Sequence, residues 1–400
     1  MAVCANLSII RQRFCLQSFA IAGYQKPAGS VKAGSHAKGE EMRVLRGALV
    51  VACVGLAGLA AACGSGGGSK IGGELHIFNW EDYFAPNTLE DFEAEFGIKV
   101  YLDTFDDEAQ LLAVISSDPS RYDVFIGSDS LIGAMKELRL LAKLDHNNVP
   151  NLANIDTRFL DLPGDPDNEY SVPYDWGTTG VMYNKKCIQP EEESWAVLRD
   201  PRVAGKVAMD TDPSVVIGST LQSLGYPLNS SDKRQLAEVV GVLRQQVSTL
   251  GLRFIASQDV MQMMKSGELC ASQAYNGDAV VVMSENEDVA FFIPKEGSDI
   301  FFDVMAIPRD APNKAAAEAF INYILRPEVQ SACNEYTGYA TPNRAAIDEG
   351  YVGSDLLSNP VIYPDTAHLE PWVAFDGPRR ALWNEAWADV QRETATSRNQ

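Results

Sequence analysis

Ser171-Val172-Pro173-Tyr174-Asp175-Trp176-Gly177-Thr178-Thr179-Gly180-Val181-Met182-Tyr183 is the stretch on which the fold turns. It is rich in β-branched and aromatic residues and reads as one extended segment crossing between two halves of the chain. On its N-terminal side, residues 74–80 form a strand that runs into a loop. Asn87-Thr88 caps a short helix with Leu89, Phe92 and Phe96 on one face, and Gly97 closes it. A strand at 99–103, a helix at 108–115, a strand at 122–126 and a helix at 131–138 follow. On the C-terminal side, 206–209 is a strand. Residues 233–247 form an amphipathic helix with Leu236, Val239, Val240 and Leu243 on its apolar face. A buried strand at 269–275, a helix at 279–285 and a strand at 289–293 come next. A long helix at 313–325 ends at Arg326-Pro327, and Gly377-Pro378 opens a last helix. Strands alternating with helices predict an α/β protein with mostly parallel sheets.

The bulk properties fit such a fold. The chain has 400 residues, 46% hydrophobic, 9% aromatic and 22% charged, which is a globular composition too long for one core. Its formal net charge is −21. No basic face is available for a phosphate backbone, so nucleic acid is excluded as a partner.

The N-terminus stands apart from the fold. Met42-Arg43-Val44-Leu45-Arg46 is a short basic segment, and residues 47–62 are an apolar run that ends at Cys63. That is the pattern of a secretory signal, too short to span a bilayer comfortably. Leu59-Ala60-Ala61-Ala62-Cys63 resembles a bacterial lipobox, with Ala60 where a leucine is usual. The resemblance makes Cys63 the lipidated first residue, and the Gly/Ser run 64–69 a tether between membrane and domain. Val50-Val51-Ala52-Cys53 is a poorer match, with a shorter apolar core. Residues 1–41 are read as an upstream segment outside the native protein. With 1–62 removed, seven of the 33 basic and two of the 54 acidic residues go, leaving 338 residues at net −26. Cys63, Cys187, Cys270 and Cys333 remain. Their spacing is not that of a metal site. The plainer reading is isolated thiols, with one disulfide among the last three left open.

Enzyme signatures are missing. There is no Walker A loop, no GxSxG and no HExxH, and only four histidines. What recurs is a set of aromatics and carboxylates at the ends of strands: Trp80-Glu81-Asp82-Tyr83, Ser128-Asp129-Ser130, Asp210-Thr211-Asp212 and Tyr275-Asn276-Gly277-Asp278. In open α/β sheets ligands sit outside the carboxyl ends of strands. Singly, each motif is as readily a cap or a packing residue.

Eight motifs, in order, carry a resemblance. They are Phe78-Asn79-Trp80-Glu81-Asp82-Tyr83, Tyr122-Asp123-Val124-Phe125, Ser171 to Gly177, Ser194-Trp195-Ala196-Val197-Leu198, Pro294-Lys295-Glu296-Gly297, Ala306-Ile307-Pro308, Leu325-Arg326-Pro327 and Gly338-Tyr339-Ala340-Thr341-Pro342-Asn343. Together they resemble the spermidine/putrescine-binding proteins of polyamine ABC importers. The match spans about Gly73 to Trp372. It implies an α/β, two-lobed periplasmic-binding-protein type II fold with two interlobe crossings and a ligand cleft between the lobes. One lobe is expected at 73–176 with 304–347, the other at 177–303 with 348–395. A monomer is expected, tethered to a bacterial membrane through its lipid anchor or free in the periplasm, and partnered by permease subunits. No cofactor and no metal is implied.

The resemblance also implies roles. Trp80 and Tyr83 would box a methylene chain, with Asp82 near an amine. Ser128 is a cleft serine and Asp212 a terminal carboxylate. Tyr275 and Phe301 stand where tryptophans are usual. Asp278 matches an acidic position of putrescine-binding relatives, Asp303 meets the central amine, and Tyr339 is a cleft aromatic. Carboxylates spaced among aromatic faces suit a chain of ammonium and methylene groups. Departures are Val215 for a glutamate, Ser130 for an aromatic and Val373 for a glutamine. The alternatives are the same fold with another small amine or an unrelated solute, and an envelope hydrolase using paired carboxylates. Tyr336 and Tyr339 as a ferric-iron pair are read instead as packing residues.

Overall fold

A computed structural model of the chain describes residues 73–373 and 377–397. All lie in the compact unit Gly66–Gln400. The signal sequence, Cys63 and the tether expected above lie outside the described residues.

Strands and helices alternate, with a strand at 298–306 and helices at 213–223, 257–266 and 327–337 beyond those the sequence predicts. In the first part they run β1 (Gly73–Trp80), α1 (Thr88–Phe96), β2 (Ile98–Phe105), α2 (Glu108–Ser117), β3 (Val124–Ser128), α3 (Asp129–Glu137) and β4 (Ser171–Gly177). Next come β5 (Thr179–Asn184), β6 (Val207–Met209), α4 (Pro213–Ser223), α5 (Lys233–Leu250), β7 (Arg253–Phe254), α6 (Ser257–Ser266), β8 (Ala271–Tyr275), α7 (Asn276–Glu285) and β9 (Val289–Phe292). The last are β10 (Ser298–Ala306), α8 (Lys314–Ile324), α9 (Pro327–Thr337), α10 (Arg344–Asp348), α11 (Ser354–Leu357), β11 (Leu369–Pro371) and α12 (Gly377–Ser397).

Two sheets result. The first has the order β11-β10-β3-β1-β2, with β4 also paired to β10; the second is β7-β6-β8-β5-β9. The quoted segment does cross between them: β4 belongs to the first sheet, β5 to the second, and only Thr178 separates them. The segment between β9 and β10 makes the return crossing.

The expectation of mostly parallel sheets is corrected. Five strand pairs are parallel and four antiparallel, and every antiparallel pair contains β5 or β10. Those two strands arrive from the opposite sheet. Neither follows the helical crossover that makes a strand parallel to its predecessor. Asn87 is a smaller correction. It occupies the N-cap of α1, but at φ 68 its backbone is left-handed and its side chain makes no capping bond. Asparagine tolerates that conformation better than most residues.

Each sheet buries both faces, because strand side chains alternate. In the first sheet, Leu75 and Ile77 pack with Phe92 of α1 and with Phe320 and Ile321 of α8. Phe78 and Phe125 pack on the other face, with Leu111 and Ile115 of α2 and Ile132 of α3. In the second sheet, Val181, Val207 and Met209 meet α4, α5 and α12. Met182 and Ala208 meet α6 and α7.

The reading of isolated thiols is overturned in part. Cys187, after β5, is bonded to Cys270, before β8, across a sequence separation of 83. Cys333 is free and buried. β5 and β8 are antiparallel neighbours, and this is what brings the two cysteines together.

Candidate functional site

The site begins in the backbone ladder. β10 lies between β3 and β4, antiparallel to both. Asp303 is directly opposite Ser128 on one side and Asp175 on the other. A serine and two aspartates therefore line up across three strands. Tyr83, in the loop after β1, donates its hydroxyl to Asp303 Oδ2 at 2.6 Å and approaches Asp175 Oδ1 at 3.4 Å. Tyr174 holds that loop by donating to the Tyr83 carbonyl at 2.5 Å. Glu108, the first residue of α2, accepts from the Ser128 backbone N–H at 3.0 Å.

The second sheet adds acids at the ends of β6 and β8. Asp212 caps α4 by accepting from the Ser214 N–H at 2.7 Å, and its own N–H donates to Asp210 at 2.8 Å. Asp278, in the first turn of α7, accepts from the Ser257 hydroxyl. Asp212 and Asp303 both act through space on Glu108, so acids of the two sheets face one another.

Aromatic rings join the two ends. Tyr275 meets Phe301 edge-on at 5.6 Å between centroids, Phe301 meets Tyr339 at 5.6 Å, and Tyr339 meets Tyr83 at 6.1 Å. Edge-to-face rings at these distances are favourable. Gly277 makes room for this row: a Cβ there would lie 2.5 Å from the Tyr339 ring.

The electrostatics are one-sided. Burial holds every acid of the cleft above its ordinary range, and neighbouring carboxylates add to it at Glu108, Asp210, Asp212 and Asp175. Glu108 and Asp210 are raised to about 7, and Asp278 and Asp303 to about 6. Asp212 is raised by burial and by Asp107, and Asp175 is held well above the carboxylate range by burial and by Asp303. By exposed area Glu108, Asp210, Asp212 and Asp278 are only half-buried. The opposing walls enclose them at longer range, and that enclosure governs their charge. Among the described residues, none of the six has a lysine or arginine within 4.0 Å.

Not every expected residue joins. Tyr83, Asp212, Tyr275, Asp278, Phe301, Asp303 and Tyr339 are brought together. Ser128 lies beside Asp303, its hydroxyl paired with Ser130 at 2.8 Å. Trp80 is set against Phe105 at 4.3 Å, in the apolar layer under α2, and its Nε1 is buried without a partner. Asp82 is a correction: its backbone is left-handed, at φ 54, and its side chain is exposed to solvent, with no bond to the acids of the cleft.

Three acids were not singled out from the sequence: the buried Asp175 and Asp299, and the half-buried Glu108. Asp299 fastens the crossing. It accepts from the Thr179 N–H at 3.1 Å and from the Trp372 indole at 3.0 Å, while its carbonyl accepts from the Thr178 hydroxyl at 2.6 Å. The signal for Asp175 was strand alternation. Tyr174 and Trp176 share one face and enter the core, so Asp175 has the other. Among the described residues, no group of three or more His, Cys, Asp or Glu is arranged to hold a metal ion.

Two layered sheets joined by extended crossings, with a charged trough between them, define a solute-binding protein. The model of the bacterial extracellular solute-binding protein family matches residues 87–359, and the chain belongs to that family. It is 30% identical over 321 residues to the spermidine/putrescine-binding periplasmic protein of Escherichia coli, covering 79% of this chain and 91% of the relative. It is 32% identical over 309 residues to the putrescine-binding periplasmic protein PotF of the same organism, covering 72% and 83%. The solved structure of the spermidine/putrescine ABC transporter substrate-binding protein PotD from Streptococcus pneumoniae is similar, with a TM-score of 0.69 and 31% identity over 80% of this chain and 99% of that one.

Proposed function

We propose that this protein captures a polyamine, putrescine or spermidine, in the cleft and delivers it to the permease of an ABC importer. One observation carries the reading: six enclosed carboxylates from both sheets surround a row of aromatic rings and have no cationic partner of their own. Burying unpaired charge is costly, and a chain of ammonium groups separated by methylenes would supply both the charge and the apolar surface. Acids spread along an aromatic row favour binding over hydrolysis, which needs two carboxylates flanking one bond. In this reading the lobes are 73–176 with 304–347 and 177–303 with 348–395, the protein is a monomer, and Cys63 carries the lipid that anchors it outside the cytoplasmic membrane. The two Escherichia coli relatives are periplasmic by name, in keeping with an extracytoplasmic site.

Titration calorimetry with putrescine and spermidine tests the ligand. Binding should also raise the melting temperature with ligand concentration. Asp303→Asn should weaken binding by about 1.5–3 kcal/mol, the worth of a hydrogen bond to a charged group. No heat and no thermal shift with either amine would remove the ligand; unchanged affinity would remove Asp303 from the site.

A further inference from the structure

Asp175 is 1% exposed and lies directly opposite Asp303 in the β4–β10 ladder. Residues so paired have Cβ atoms about 4.5–5.5 Å apart, and like charges there are destabilising. Nothing nearby relieves the pair. The Tyr83 hydroxyl is a single proton donor shared between the two carboxylates, and it is spent mainly on Asp303. Asp175 Oδ2 is cut off from solvent and has no hydrogen-bond partner at all.

The groups that face Asp175 are of the same kind. Tyr83 comes from the loop after β1, Asp303 from β10, Tyr339 from the segment after α9, and the Cys333 thiol from α9 itself. None is a cation. Four carboxylate oxygens thus meet the Tyr83 hydroxyl proton and the one proton that burial and Asp303 keep on Asp175, and a buried polar atom left unpaired costs about 1–3 kcal/mol. The deficit is of donors and of positive charge. Two carboxylates and one hydroxyl fall short of the roughly six to eight oxygens a calcium ion takes, so the deficit is met better by an N–H donor.

We propose that Asp175 and Asp303 form a two-carboxylate socket that takes one ammonium group of the ligand through two N–H donors, one to each aspartate. This rests on the reading of the cleft as an amine site and sharpens it. Aromatic rings alone would accept a quaternary ammonium as readily as a primary one. The socket does not, because a quaternary nitrogen has no N–H and a tertiary one has a single N–H. Asp175 is thereby a specificity-determining residue, selecting primary and secondary amines.

The test is a calorimetric series on the purified protein with putrescine, N,N′-dimethylputrescine and N,N,N′,N′-tetramethylputrescine. The first two keep at least two N–H donors on each nitrogen and the third keeps one. Affinity should change little from the first to the second and fall about 10–100-fold at the third, where the second donor is lost. A steady decline with added methyls, or none, would overturn the socket. Asp175→Asn should weaken putrescine about 10–100-fold and lower the number of protons released on binding near pH 6. A folded Asn variant that binds and releases protons like the wild type would also overturn it. If that variant does not fold, the methylation series on the wild type decides alone. A wild type that binds none of the three overturns the amine reading itself, and the socket with it.

Discussion

Affinity for a diamine should fall about 100-fold or more between pH 8 and pH 5. Asp303 and Asp278, both raised to about 6, have to ionise to meet an ammonium, and each loses about tenfold one unit below its value. Glu108 and Asp210, near 7, add to the loss wherever the ligand reaches them. Binding therefore releases protons, and affinity rises with pH. The stability of the free protein has the opposite sign. These carboxyls sit above their ordinary values of about 4, so between about pH 4 and 7 the folded chain holds more protons than the unfolded one. Their contribution to stability is present at acid pH and is lost as pH rises through that window. Melting curves of the free protein should thus gain from mild acid, whereas the increment from saturating putrescine should grow toward pH 8. An affinity that stays flat from pH 8 to pH 5 would show that the cleft acids do not contact the ligand.

Loss of the Cys187–Cys270 bond should cost about 4.5 kcal/mol. The bond closes a loop of 83 residues, and the chain-entropy relation gives about that value for such a loop. Cys187 is exposed, so a reductant reaches it. The two cysteines lie at the ends of β5 and β8 remote from Thr179 and Tyr275, which abut the cleft. Urea unfolding of a Cys187→Ser, Cys270→Ser variant should show the loss, with amine affinity nearly unchanged. A difference under about 1 kcal/mol would mean that the sheet alone holds those strands.

Much of this was legible in the sequence. Apolar periodicity located α1, α2, α3, α5, α7, α8 and α12 but not α4, α6 or α9, and Ser171 to Tyr183 read as a crossing because its residues suit extended backbone. Local pattern carries no information about which strand a crossing chain will pair with, so the antiparallel pairing of β5 was missed, and β10 was not singled out as a strand. The cysteine pairing depended on the same tertiary register. In the site, residues at or just after the ends of strands lie close together in the fold, among them Asp212, Asp278 and Tyr275. Asp82 was not, because one left-handed residue in a loop reverses a side chain. Asp175 was hidden within an apolar strand, where its neighbours Tyr174 and Trp176 suggested structure rather than chemistry.

The bond between Trp372 and Asp299 has an optical consequence. Trp372 packs on the core of the second sheet, beside Trp383, while its indole donates to an acid of β10 in the first. Indole emission responds to a charge within bonding distance. The crossing thus carries its own fluorophore, and any pivot that parts those two groups would report itself as a change of colour, in real time and without a label.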